Sequence, residues 1–255
     1  MLISDTAHLT LLTLIMMRMS GFILLNPILG RKNIPAIVKA GFIMVLTFTI
    51  YAFFEGEAFD IESPVEYAFL LLKEFAAGYT VGYIVDLFLM IISFGGHIID
   101  FQLGLSMAKV YDPQTNAQMP ITGSLFQAYL MLLFFAVDGH LALIKILITS
   151  ADIVPYGGIV ITQGLAQRVI DIFLQCLEMG MSFSLPILAA EFLVEMGIGI
   201  LNKVVPQISI FVINIQLKII VGFGLLIILF SPLSDYLDKI ITTMIKTVQG
   251  ILTFL

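Results

Sequence analysis

Three groups of residues in this chain have types and spacings that invite a chemical reading. Gly104-Leu105-Ser106-Met107-Ala108 has the outline of a nucleophile elbow, and Asp138-Gly139-His140 supplies an acid and a base. Together they would suggest a serine hydrolase working at membrane depth, with serine and histidine presented by helices. The elbow is incomplete, because Ala108 stands where the close turn wants glycine. His8, His97 and His140 are too far apart to share one helix face as metal ligands, and Cys176 is the single cysteine. That excludes an intrachain disulfide and a cysteine metal cluster. No glycine-rich phosphate loop follows a strand-like segment. The expectation is a protein that is not an enzyme and needs no cofactor. The third group is a set of ionisable residues in apolar surroundings: Arg18, Asp86, Asp138, Lys145, Arg168, Asp171, Glu178, Glu191, Glu195 and Lys218. Each would cost several kcal/mol facing lipid near the bilayer centre. Such residues face protein or water, and they bear on how the chain is built.

The elements that carry them are hydrophobic. Of 255 residues, 60% are hydrophobic and 12% charged, which excludes a soluble globular domain. The net charge of -6 is spread over connections and leaves no basic footprint for nucleic acid. Six segments approach or exceed the roughly 20 apolar residues of a membrane span: about 8–29, 36–54, 66–99, 121–149, 165–201 and 208–231. A bilayer demands internal backbone hydrogen bonds, so runs this long are helices. The third and fifth are too long for one straight span. Breaks or kinks are expected at Gly78, Gly82, Gly95 and Gly96 in the third, and at Pro186, Gly197 and Gly199 in the fifth. The tail, 235–255, spaces Leu237, Ile240, Ile241, Met244 and Val248 as an amphipathic helix. Asp5 stands where a signal peptide would be basic, so the first apolar segment is expected to remain in the mature protein.

Orientation follows from cations in the short connections. Arg31, Lys32 and Lys39 share one tip with Pro35, Lys203 marks a second tip with Pro206, and Lys109 lies between the third and fourth segments. With six spans, all three connections fall on one side, the cytoplasm. The acidic connection "EGEAFDIESPVE" falls on the other. Within the last two spans, a turn between Asn202 and Gln207 sets Glu191 level with Lys218, each roughly 20 Å from the tip. These two are the expected buried ion pair, or contacts with a neighbouring subunit.

The connection 104–120 is unusual in being long and nearly uncharged. Asp112-Pro113 forbids a continuous helix and biases Asp112 to extended geometry. Gln114, Thr115, Asn116 and Gln118 bring hydrogen-bonding groups without a charge to desolvate.

"FQLGLSMAKVYDPQTNAQMPITG" (101–123), "AVDGH" (136–140) and "LNKVVPQISIFVINIQLKIIVG" (201–222) resemble the FliR family of flagellar export-gate proteins over essentially the whole chain. The resemblance implies an all-α, polytopic membrane protein of kinked helical hairpins, a single membrane domain over 1–255. Residues 1–164 would be a FliP-like part, with 104–120 as a pore plug. Residues 165–255 would be a FliQ-like hairpin and amphipathic tail. It implies a place in the flagellar basal body at the bacterial inner membrane. FliP-like and FliQ-like sister subunits would complete an entry pore for unfolded flagellar export substrates, and a FlhB-like gating protein would meet the rim near Arg31, Lys32, Pro35, Lys203 and Pro206. Val110, Tyr111, Asp112, Pro113, Gln114, Thr115 and Asn116 would form the plug. The alternative on the residues alone is a secondary transporter of a small solute, which broken helices and embedded charges also suit.

Overall fold

The computed structural model describes residues 2–31, 33–53, 63–105, 110–112, 117–160, 163–204 and 210–255. Helices dominate. α1 (Leu2–Leu25), α2 (Ala36–Phe53) and α3 (Pro64–Gln102) precede a short antiparallel hairpin of β1 (Val110–Asp112) and β2 (Ala117–Met119). α4 (Ile121–Ala136), α5 (Gly139–Ile148) and the single turn α6 (Ser150–Ile153) follow. The chain then forms α7 (Gln163–Val204), α8 (Ile210–Ile228) and α9 (Phe230–Ile251), with a last 3-10 turn at Leu252–Phe254. Among the described residues, four helices are long and apolar enough to cross a membrane. The number rises to six if each of two broken pairs, α4–α5 and α8–α9, is one span. The fold is an all-α, multi-pass membrane protein.

Local sequence sets the element ends. Pro64 opens α3 at the position where a missing N–H costs nothing. Pro35 precedes α2, and its carbonyl accepts the N–H groups of Val38 and Lys39 at 3.0 and 3.2 Å. Pro120, with φ -63° and ψ 147°, is the N-cap of α4. The break between α4 and α5 is made by Asp138, whose φ of 55° is the one positive value at a non-glycine residue among those described. Aspartate tolerates this left-handed geometry because its short polar side chain bonds locally. α8 and α9 meet at Leu229 with a bend of 62°.

The third and fifth segments are not interrupted: α3 is one helix of 39 residues through all four of its glycines, and α7 is one helix of 42 residues through Pro186, Gly197 and Gly199, which leaves kinks, not breaks, as the outcome open to them. In an apolar setting, continuing the helix keeps the backbone groups bonded, and one proline removes only one of those bonds. The break falls instead in the fourth segment, expected as one span, at Asp138.

By contact, the chain forms two units. The first comprises Met1–Leu87, Asp138–Phe173 and Thr243–Leu255; the second comprises Phe88–Val137 and Leu174–Thr242. In the first, α1 and the start of α3 cross backbone against backbone. A side chain at Gly78 would strike the carbonyl oxygen of Arg18 and stand 2.9 Å from the Phe22 nitrogen; one at Gly21 would strike the Phe75 carbonyl. Leu14, Ile15, Met19, Phe22, Ile84 and Val85 fill the core around this crossing. In the second unit, Gly96 and Gly123 bring α3 and α4 equally close, and the Phe126 and Phe183 rings meet edge to face at 5.2 Å. The glycines of α3 are therefore packing residues, as small residues are at membrane helix contacts. The apolar stripe of α9 is buried at Leu237, Ile240, Ile241, Met244 and Val248, so the amphipathic tail packs against its own chain.

Candidate functional site

In the first unit, Arg18 and Glu74 are 3% and 0% exposed. Four elements meet at their charges. The Arg18 Nε donates to Glu74 Oε2 at 2.6 Å and Nη2 to Oε1 at 3.2 Å, a two-pronged ion pair between α1 and α3. Nη1 reaches Ser150 Oγ at 3.2 Å, in α6, and the Val154 carbonyl at 3.0 Å. The Gly157 N–H donates to Glu74 Oε1 at 2.8 Å. The guanidinium lies 4.3 Å from the centre of the Tyr156 ring, a cation over an aromatic face. Burial pushes the Tyr156 hydroxyl up to about 12, so it remains a neutral phenol throughout the physiological range. The pair thus holds the extended segment after α6 against two membrane-depth helices. Glu74 escaped the sequence reading although it lies in the apolar run "LLKEFAAG". An acid there is the only signal, and its partner lies 56 residues away.

The hairpin that interrupts the apolar chain belongs to the second unit. Val110 pairs with Met119, Tyr111 with Gln118, and Asp112 with Ala117. Pro113, Gln114, Thr115 and Asn116 lie outside the described residues, as do Ser106, Ala108 and Lys109. Gly104, just after α3, has φ +74°, a left-handed conformation that suits glycine. On the far side of the hairpin, the Asp100 carboxylate accepts the Thr122 N–H at 3.2 Å and also its hydroxyl. Asp100 is 2% exposed, and this bond ties the end of α3 to the first turn of α4. The hairpin therefore springs from a fixed base.

The charges of the α7 and α8 segments differ from expectation in one contact. Lys218 Nζ donates to Glu195 Oε1, not to Glu191. Glu191 lies one helical turn away, fully buried, and neither carboxylate oxygen accepts a hydrogen bond from a described residue. The four-residue spacing puts both acids on one face of α7, so Lys218 neutralises one and its field reaches the other. Lys218→Met is expected to cost about 1–2 kcal/mol after allowing for the partial exposure of Glu195. Glu191→Gln, which keeps the shape, is expected to cost much less. Thermal unfolding of the detergent-solubilised protein checks this; equal losses would mean that Lys218 is not the group holding these acids.

The remaining candidates are scattered. Arg31 is half-buried, with its Nε unbonded among the described residues; Pro35 caps α2; Lys203 is exposed in the last turn of α7. Lys32 and Pro206 lie outside the described residues. His8 meets Tyr51 at 3.0 Å, His97 is exposed, and Asp138 shapes a turn. Among the described residues, no three of His, Cys, Asp or Glu are grouped to hold a metal ion.

The model of the family described as bacterial export proteins, family 1, matches residues 9–244. The flagellar biosynthetic protein FliR of Bacillus subtilis (strain 168) is 28% identical over 246 residues, covering 94% of this chain and 93% of that protein. The FliR of Escherichia coli (strain K12) is 27% identical over 242 residues, covering 93% and 91%. The Yop proteins translocation protein T of Yersinia pestis is 22% identical over 232 residues, covering 89% and 88%. The residues matched by the family model run from α1 into α9. This chain belongs to the bacterial export proteins, family 1.

Proposed function

We propose that this chain is a subunit of the flagellar type III protein export gate. Together with FliP-like and FliQ-like sister subunits, it forms the entry pore for unfolded flagellar proteins in the bacterial inner membrane, within the basal body. The observation that carries the reading is similarity to FliR proteins along nearly the full length of both chains. On this reading, residues 1–164 correspond to a FliP-like part and residues 165–255 to a FliQ-like hairpin with its tail. A FlhB-like gating protein meets the cytoplasmic tips at Arg31, Lys32, Pro35, Lys203 and Pro206. Glu191, with Lys218 and Glu195, stiffens the α7–α8 pair where a sister subunit packs. The chain acts by assembly and gating and performs no chemistry of its own.

Residues Val110 to Asn116 act as the plug. A two-stranded hairpin on its own is marginally stable in water, so its ordered form depends on what surrounds it. The base is a different matter: Asp100 holds α4 to α3 whether or not the hairpin is seated. Such an element can leave a pore without unfolding the helices that carry it, as moving parts drawn from the low-stability end of a structure do.

The test has two parts. A bacterium lacking this chain is expected to export no filament protein, and the purified chain is expected to carry FliP-like and FliQ-like subunits with it in mild detergent. Replacing residues 110–116 by a glycine linker should leave that complex assembled. Cells carrying it should leak small ions, read as a fall in membrane potential with a voltage-sensitive dye. A tight, assembled complex would rule out the plug. Loss of assembly would make the hairpin a structural element.

A further inference from the structure

One stripe of α3 in the first unit is left uncovered by the chain. Leu72, Tyr79 and Tyr83 are 62%, 42% and 36% exposed, and Asp86 is half-buried. Their spacings of 7, 4 and 3 residues put all four on one helix face. Ala77, Val81, Ile84 and Val85, on the other faces, are buried. The Tyr79 and Tyr83 rings stack with centroids 6.3 Å apart and an interplanar angle of 18°. Asp86 has no hydrogen bond or ion pair with a described residue. It stands three residues from the middle of a 39-residue helix apolar enough to cross a membrane, roughly 4–5 Å along the axis. An acid at that depth is costly against acyl chains and calls for water or a cation. Glu74, about three turns earlier on α3, shows how this chain satisfies such an acid. The Arg18 guanidinium meets Glu74 and also lies over the Tyr156 ring. Asp86 has the tyrosines and lacks the cation. A face lined by water carries polar groups along its length. Here one acid stands among aromatic and aliphatic groups, the composition of an interface core, where tyrosine is enriched and charge sparse.

We propose that this stripe of α3 seats a membrane helix of a sister subunit, and that this helix carries one arginine or lysine that pairs with Asp86 beside the two tyrosines. The partner's identity as an export-gate subunit rests on the reading above; the chemistry of the contact rests on the stripe itself. A guanidinium suits the place best, because it can fork onto a carboxylate and lie over an aromatic ring at the same time. Apolar residues of the same helix cover Leu72 and Tyr79. The single acid selects both the partner and its depth. A helix without the cation, or with it a turn away, would leave Asp86 covered and unpaired, which penalises the wrong neighbour.

The test uses the full chain purified in mild detergent with the subunits it retains. A photoreactive benzoylphenylalanine replaces Tyr79 or Tyr83, and the adducts are mapped by mass spectrometry. Both positions are expected to reach one apolar helix of a sister subunit that contains an arginine or lysine. Asp86→Lys should lower the amount of that subunit retained at least tenfold. Exchanging the mapped cation for aspartate in the same complex should restore most of it, which also shows that the Asp86→Lys chain folds. Adducts with lipid alone, a mapped helix without a basic residue, unchanged retention, or a loss that the exchange does not restore would each overturn the proposal. So would ready modification of Asp86→Cys by a charged thiol reagent in the intact complex, with Cys176 replaced by alanine, since that face would then be lined by water. A parent chain that retains no FliP-like or FliQ-like subunit would sink the export reading and this one together. A parent complex that holds together while the stripe gives no adduct would sink the docking face alone.

Discussion

Glu74→Ala is expected to destabilise the chain by about 3–5 kcal/mol, because it leaves the Arg18 guanidinium charged, buried and without its counter-ion. The loss is large since Glu74 satisfies three donors at once: Nε and Nη2 of Arg18, and the N–H of Gly157. Ser150 and the Val154 carbonyl can still bond Nη1, yet both are neutral acceptors. Arg18→Ala should be similarly damaging, as it strands the carboxylate. The double replacement Arg18→Met with Glu74→Leu removes both charges and refills the volume. It should therefore lie closer to the parent protein than either single change, as matched apolar substitutes for buried pairs do. Melting of the purified protein, followed by resistance of the segment around Val154 to Val160 to chymotrypsin at Tyr156, would show the order. A double variant as unstable as the singles would mean that shape, and not charge pairing, sets the energetics here.

The second large effect concerns the glycine crossing. Gly78→Ala places a Cβ against the Arg18 carbonyl oxygen and within 3 Å of the Phe22 nitrogen. Both obstacles are backbone, so no side chain can swing aside and α1 and α3 must part. Overpacking of this kind costs about 1–3 kcal/mol, and parting the helices also strains the Arg18 and Glu74 bonds made nearby. Gly41 supplies the internal control. It lies in α2 with nothing within 4 Å of its would-be Cβ. Gly41→Ala is expected to stabilise by roughly 0.5–1 kcal/mol through helix propensity alone. Opposite shifts in melting temperature for two identical substitutions would establish close packing as the role of Gly78. Equal shifts would show that the crossing relaxes freely.

The contrast between these glycines shows where sequence reading stops. Both stand in apolar helices, and nothing local separates Gly41, which touches nothing, from Gly78, on which a neighbouring helix rests. Reading the α3 glycines as breaks or kinks assumed that a helix former was wanting; at Gly78 the missing side chain serves a helix 56 to 60 residues away in the chain, at Arg18 to Phe22. The apolar segments themselves were legible, because the length and hydrophobicity demanded by a bilayer leave a signal in every window. The Asp138-Gly139 turn was also there to be seen, as an Asp-Gly pair inside an apolar run. It was counted among embedded charges instead. Glu191 and Lys218 were set at the same depth by counting residues. Counting resolves depth to about one turn, which is the distance between Glu191 and Glu195. Glu74 was missed for a related reason, since an acid in an apolar run looks alike whether it meets Arg18 or another chain.

The first unit is assembled from three stretches of chain, Met1–Leu87, Asp138–Phe173 and Thr243–Leu255. At its edge, the Val160 N–H donates to the carbonyl of Leu255 at 2.9 Å, and Leu252 lies in the core. Translation delivers these pieces far apart in time. Helices α1 and α2 leave the ribosome early, yet the surface that Thr243–Leu255 covers stays open until the second unit has been wholly synthesised. Contacts of such sequence separation close slowly. A ribosome stalled short of Thr243 would leave this unit without its last stretch.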